Sequence, residues 1–490
     1  MMNGCFIFLM VWGVGSVFAF GAFAASVEIP AEVVQDRIRG GLLGHVLGDL
    51  NGLKHEMKYI AEPGQVESYT PDLAEGAWTD DDTDFEWVYI LAMQERNTIL
   101  LPAQDLSALW RKHINRAIWC ANQYARQLMD LGMEPPLTGC IPFNPWSDFN
   151  ISGQFVCESW GLIAPGMPKT AERIGLNYTH VTISGEPAQT TQLFDAMIAA
   201  AFLIGDMEEI LDAGLAAVDP KCVVHQVVSA VRAWHKQNPT DYRATRKLIK
   251  EKYTHFNGAT RDRNGFELNT ASVIGALLYG RGDYVKTSIA AFNFGWDADN
   301  NAATAGAIVG VRMGWKWMMA QGWNIADLYR NTTRDCMPMD ETLTRFGDRL
   351  IALAEKVIIE QGGKIITQNG KTFYQIQIEE PENLEPLPDP VEQFARLRDS
   401  MKTEIEEGVA RGVSDRQRAR AAYEAICLDL AQTLREKYPE PWAKALEALN
   451  GYPKVVGVLF FEADNASGDK LRQRAVAAGL KQPEKRVKIW

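Results

Sequence analysis

The chain has 490 residues, 47% hydrophobic and 10% aromatic, enough apolar content for a substantial core in two or three domains. Its formal net charge of -12 excludes a nucleic-acid backbone as the main partner, since the only compensating basic run is the short tail from Lys481 to Lys488.

Residues Cys5 to Phe20 form an apolar run, and Ala22-Phe23-Ala24 behind it has the small-x-small pattern that a signal peptidase needs. Residues 1–24 are therefore expected to be a signal peptide. The mature protein would be secreted or periplasmic, without stable membrane association. The opening Met1-Met2-Asn3-Gly4 lacks Lys and Arg, so an uncleaved anchor is the alternative. The later cysteines, Cys120, Cys140, Cys157, Cys222, Cys336 and Cys427, are too scattered for a disulfide scaffold or a zinc site, though one or two bridges fit.

From Val33 to Glu56 a helix is expected, with Gly40, Gly44, Gly48 and Gly52 on one side. Glycine costs about 1 kcal/mol per helical position relative to Ala, so this stripe must be offset by close packing against another backbone. Next, Trp78-Thr79-Asp80-Asp81-Asp82-Thr83-Asp84 precedes the apolar pattern Phe85, Val88, Leu91, Ala92. This helix start holds more carboxylates than capping requires.

Further helices are expected at about 103–130, 187–205, 207–217, 221–236, 240–252, 269–278 and 283–292. Between Pro135 and Pro168 an irregular stretch with Pro142, Pro145, Trp146 and Trp160 suits a loop lining a cleft or covering core. Then Phe294 to Gly314 repeats the earlier theme. Asp297, Asp299, Asn300 and Asn301 crowd one helix start, and Gly306, Gly310 and Gly314 offer a matching small-residue stripe. Two acids and two amides on one turn compete unless a hard cation sits among them, and two such starts suggest a shared ion.

After Gly362 the period changes to alternation about Asn369-Gly370, the sign of a hairpin. The Pro- and Glu-rich segment Glu379 to Pro390 reads as an extended linker. Helices are expected at 391–408, 414–437 and 439–449, with one strand over Lys454 to Phe461.

These motifs in this order resemble the ADP-ribosylglycohydrolase family. The resemblance rests on the Arg37 to Glu56 opening, the Thr79 to Thr83 cluster and the Gly295 to Gly306 helix start, with Trp160 to Pro168 and Ala276 to Asp283 between. It implies an all-α orthogonal helical bundle over about 30–360, followed here by a hairpin at 361–380 and a mainly helical extension at 381–490. It also implies two Mg2+ ions, or Mn2+, held by Thr79, Asp80, Asp81 and Asp82 on one side and Asp297, Asp299 and Asn300 on the other. Asn300 stands where the family usually has Thr or Ser. The implied reaction is hydrolysis at the anomeric carbon of an ADP-ribosyl or similar glycosyl group, with Glu56, Asp81 and Asp299 as catalytic candidates. The partner would be a small-molecule or glycosylated substrate. An exported member would meet other glycosides, and a non-catalytic descendant is a further alternative. Trp146, Trp160, Trp296 and Gly185 to Gln192 are candidates for contacting a sugar or base.

Overall fold

Helix α1 (Ala31–Gly52) runs through the core of the molecule, with every residue from Gly40 to Leu50 buried. The computed structural model describes residues 25–461 and 468–488, so the expected signal peptide lies outside the described residues. Among the described residues, no helix is long and apolar enough to cross a membrane.

The glycine stripe of α1 packs against the later one. A Cβ on Gly44 would stand 2.1 Å from the Gly306 carbonyl oxygen, and one on Gly40 would stand 2.5 Å from that of Gly310. On Gly52 it would meet Asp299 Cα at 2.4 Å. Only glycine permits this backbone-to-backbone approach. The two helices thus run side by side, and the last turn of α1 meets the first turn of its partner.

The fold is all-α, as expected, and the predicted helices form with shifts of a few residues at their ends. The stretch expected as one helix over 414–437 is instead two, Asp415–Cys427 and Ala431–Lys437, and that over 103–130 is likewise two, Ala103–His113 and Cys120–Leu131. The turn between them is held by Arg334, which donates to the carbonyls of Arg116 and Ala117. The stretch 135–168 contains short helices at Ser152–Phe155 and Glu158–Ile163, and most of it is core. The hairpin forms as Lys364–Gln368 and Lys371–Gln377, and a strand not anticipated, Ser26–Pro30, completes an antiparallel three-stranded sheet with Lys371–Gln377 at its centre.

The strand expected over Lys454 to Phe461 is a helix, Pro453–Phe461. Val455 to Phe460 are all buried, and a short apolar run buried all round has no period to separate helix from strand. This helix belongs to a second core that the C-terminal helices build with Tyr124, Leu128, Phe143 and Trp146. The linker before them is an extended strap, anchored where Glu379 accepts from Thr170 and where Glu385 meets His180 at 2.7 Å. Cys140, Cys157, Cys222, Cys336 and Cys427 are free thiols.

Candidate metal centre

Two acidic helix starts converge on the last turn of α1. The first opens α2 (Asp81–Arg96), placed by the short strand Ala77–Trp78, which pairs with Tyr329–Arg330. The second opens α3 (Ala298–Met313) after a sharp turn at Gly295 and Trp296, both at positive φ. Arg246 locks that turn. Its guanidinium lies 3.4 Å over the Trp296 ring and donates to the carbonyls of Phe294, Tyr59 and Ile60. Asp80 and Asp297 occupy the two N-cap positions, yet neither side chain makes a capping hydrogen bond, so both carboxylates are available for other work.

One carboxylate oxygen from each of Asp49, Asp80, Asp82 and Asp299 lies within 4.8 Å of the others. Glu56, Asp297 and Asp299 form a second set of the same kind. Asp299 belongs to both. The two oxygens of Asp49 and Oδ1 of Asp299 are buried without a hydrogen-bond partner, a costly state for a carboxylate unless a cation completes it. An all-oxygen donor set suits Mg2+ or Mn2+, so the residues present fit two hard divalent ions.

Electrostatics point the same way. Burial, reinforced by the neighbouring acids, holds Asp49, Asp81, Asp82 and Asp299 well above the ordinary carboxylate range. Burial raises Asp297 to about 6, against hydrogen bonds from Asp299 and Asn264 that pull it down. Glu56, at the rim, is lifted to about 7 by partial burial and by the charges of Asp297 and Asp80. Without a cation the cluster favours protons, and bound cations would reverse that preference.

The other predicted residues are placed differently. Asp81 faces the cavity but lies outside both carboxylate sets. Thr79 directs its hydroxyl to the Thr332 and Thr333 segment, accepting from Thr332 N at 2.8 Å. Asn300 donates to Asp82 Oδ1 at 2.7 Å, and its own oxygen accepts from Gln154. It therefore orients a carboxylate of the cluster rather than offering a free ligand atom. Asp84 pairs with Arg334.

The carboxylates form the floor of a cavity of about 520 Å³ whose walls include Trp119, Asn122, Phe155, Arg263 and Asn264. Trp119 is half exposed and Arg263 is exposed. Neither was anticipated, since an aromatic and an arginine in separate loops carry no sequence period. Asp49 was not among the expected ligands either, although its place in the last turn of the glycine-striped helix is a usable signal. The expected aromatic contacts need correcting. Trp146, Trp160 and Trp296 are fully buried in the core, because each ring is packed by neighbours such as Tyr124, Tyr178 and Arg246. In the Gly185 to Gln192 segment, Gln189 and Gln192 hold the strap at Asn383 to Glu385 instead of reaching the cavity.

The sequence pattern of the family described as ADP-ribosylglycohydrolase matches residues 30–363. A solved structure titled "ADP-ribosylglycohydrolase-related protein complex" is similar at 17% identity, with a TM-score of 0.44, over 66% of this chain and 98% of that one. No curated protein matches.

Proposed function

The chain belongs to the ADP-ribosylglycohydrolase family, whose members are hydrolases acting on glycosyl bonds, and we propose that it uses two divalent cations, Mg2+ or Mn2+, to hydrolyse the bond between ADP-ribose, or a related glycosyl group, and an N- or O-linked partner. The observation that carries this reading is the position of Asp299, shared between two sets of carboxylates at the floor of a cavity. Asp49, Asp80, Asp82 and Asp299 would hold one ion, and Glu56, Asp297 and Asp299 the other. When bound, such ions supply Lewis acidity toward a sugar diol and lower the pKa of a bound water.

The chain's own residues do the rest. Asn300 and Gln154 fix the orientation of the Asp82 side of the cluster. Glu56 stands at the rim, where it can orient the attacking water or the sugar, and Asp81 presents a second carboxyl to the cavity for the proton that the leaving group takes up. Trp119 offers an exposed aromatic face to a base or sugar ring, and Arg263 offers countercharge to an anionic portion such as a diphosphate.

The test is release of ADP-ribose from ADP-ribosyl-arginine and ADP-ribosyl-serine with and without Mg2+. Cation-dependent release that Asp299→Ala and Asp81→Asn abolish is the expected result, and silence on both substrates rejects it. The apolar run from Cys5 to Phe20 favours a second reading, export to a compartment where another glycoside is the substrate. That reading expects reducing sugar from a glycan panel, again lost in Asp299→Ala. Absence of both turnover and specific cation uptake would identify a non-catalytic descendant.

A further inference from the structure

One helical turn beneath the carboxylate floor, the same helices carry a second set of metal-ligating side chains. His45 precedes Asp49 by four residues on α1, and Glu86 follows Asp82 by four on α2. Residues four apart share a helix face, so each lies directly below a member of the upper cluster. Thr304, four residues after Asn300 on α3, donates to Glu158 Oε1 at 2.5 Å and brings in the third member, from the helix Glu158–Ile163. An imidazole nitrogen of His45 and carboxylate oxygens of Glu86 and Glu158 lie within 4.8 Å of one another, and all three side chains are at most 1% exposed.

The hydrogen bonds leave a gap at the centre. His45 Nε2 lies 2.9 Å from the carbonyl oxygen of Asp82, which can only accept, so Nε2 carries the ring proton. Nδ1 is the ring nitrogen that remains. It is buried and finds no partner, and it is the nitrogen left to serve Glu86 and Glu158. Glu86 accepts from Ser159 N at 3.0 Å and Ser159 Oγ at 2.6 Å, and Glu158 accepts from Thr304 Oγ1 and Cys157 N. All four donors are neutral, and they leave further lone pairs on each carboxylate. His45 Nδ1 makes no hydrogen bond to either acid. The three ligand atoms lie within 4.8 Å of one another without direct bonding, so small side-chain shifts would draw them onto one ion at metal–ligand distances of about 2.0–2.2 Å. Asp195 is buried nearby, and neither of its oxygens has a hydrogen-bond partner.

We propose that His45, Glu86 and Glu158 form a separate, fully buried site for a divalent transition ion of the Zn2+ class, one turn below the oxygen-only cluster. One imidazole and two carboxylates suit Zn2+ better than Mg2+, whereas the upper set suits the harder ion. Ser159, Thr304 and the Asp82 carbonyl orient the ligands. The ion would pin α1, α2 and the Glu158 helix beneath the cavity floor, and its enclosure means it is acquired as the chain folds. This site stands whether or not the hydrolase reading does.

The experiment is metal analysis of the full chain purified from zinc-supplemented cells and washed with excess Mg2+. Pulsed EPR on protein produced with Cu2+ or Mn2+ accompanies it. The expected result is one transition ion per chain, with a nitrogen coupling in the EPR spectrum, that His45→Gln and Glu158→Gln each remove and Asp299→Asn retains with its coupling. Loss of that ion in Asp299→Asn, or its retention in both lower-site variants, would overturn the assignment. So would wild-type protein without a tightly held transition ion, a result that stands even if both variants fail to fold.

Discussion

Arg334 Nε lies 2.6 Å from Asp84 Oδ2, and neither side chain is open to water. The same guanidinium donates to the carbonyls of Arg116 and Ala117, so one buried ion pair connects the acidic start of α2 to the turn that leads into Trp119. Removing one partner of a buried pair strands the other. Arg334→Met should therefore destabilise the protein by about 3–5 kcal/mol in urea unfolding. The double variant Arg334→Met, Asp84→Leu should recover much of the loss. A single-variant loss below about 1 kcal/mol would mean that the pair is solvated in solution.

Cation binding and stability should oppose each other at the cavity floor. Asp82 is buried among acids that raise its pKa, so Asp82→Asn removes repulsion from the metal-free protein while keeping an oxygen for Asn300. In EDTA the variant should melt higher than wild type. Wild type should gain roughly 2.7 kcal/mol at a Mg2+ concentration 100 times its dissociation constant, and the variant far less. Equal gains in both would remove Asp82 from the ligand set.

The contact between α1 and α3 leaves no room for a methyl group. Gly44→Ala would put a carbon 2.1 Å from the Gly306 carbonyl, so the helices must separate, at a cost of about 3 kcal/mol or more. Gly205→Ala is the control, since nothing lies within 4 Å of a Cβ there. Thermal unfolding that ranks the two variants equally would contradict the packing.

Glu172 supplies a pH test away from the cavity. Burial, aided by Glu379, lifts its carboxyl to about 10, and both oxygens lack partners. The unfolded chain releases this proton first. The contribution is therefore complete below about 4.5, shrinks as pH rises, and is lost as pH passes the folded value. Glu172→Gln should match wild type at pH 4 and exceed it increasingly above, by at most on the order of 3 kcal/mol at pH 7. A gain independent of pH would reject this cause.

What sequence reasoning reached and what it missed divide along physical lines. The paired stripes of Gly40, Gly44 and Gly48 with Gly306 and Gly310 were readable because the cost of helical glycine demands a compensating contact. The convergence of Asp80, Asp82, Asp297 and Asp299 was readable because capping leaves acids to spare. Trp119 and Arg263 were not, since their approach to the cavity depends on turns stabilised by distant groups such as Arg334. Val455 to Phe460 misled because β-branched residues in a fully buried run satisfy either backbone. Asn300 misled in the opposite way, because its type fits a ligand while its neighbours Gln154 and Asp82 already engage it.

The docking of α1 against α3 also bears on how the protein is made. During synthesis the apolar first helix emerges roughly 250 residues before the partner that covers it, an interval of about 10–50 s at ordinary elongation rates. For that time its hydrophobic flanks have no native cover, so slower elongation would prolong the exposure and a holding chaperone would shield it.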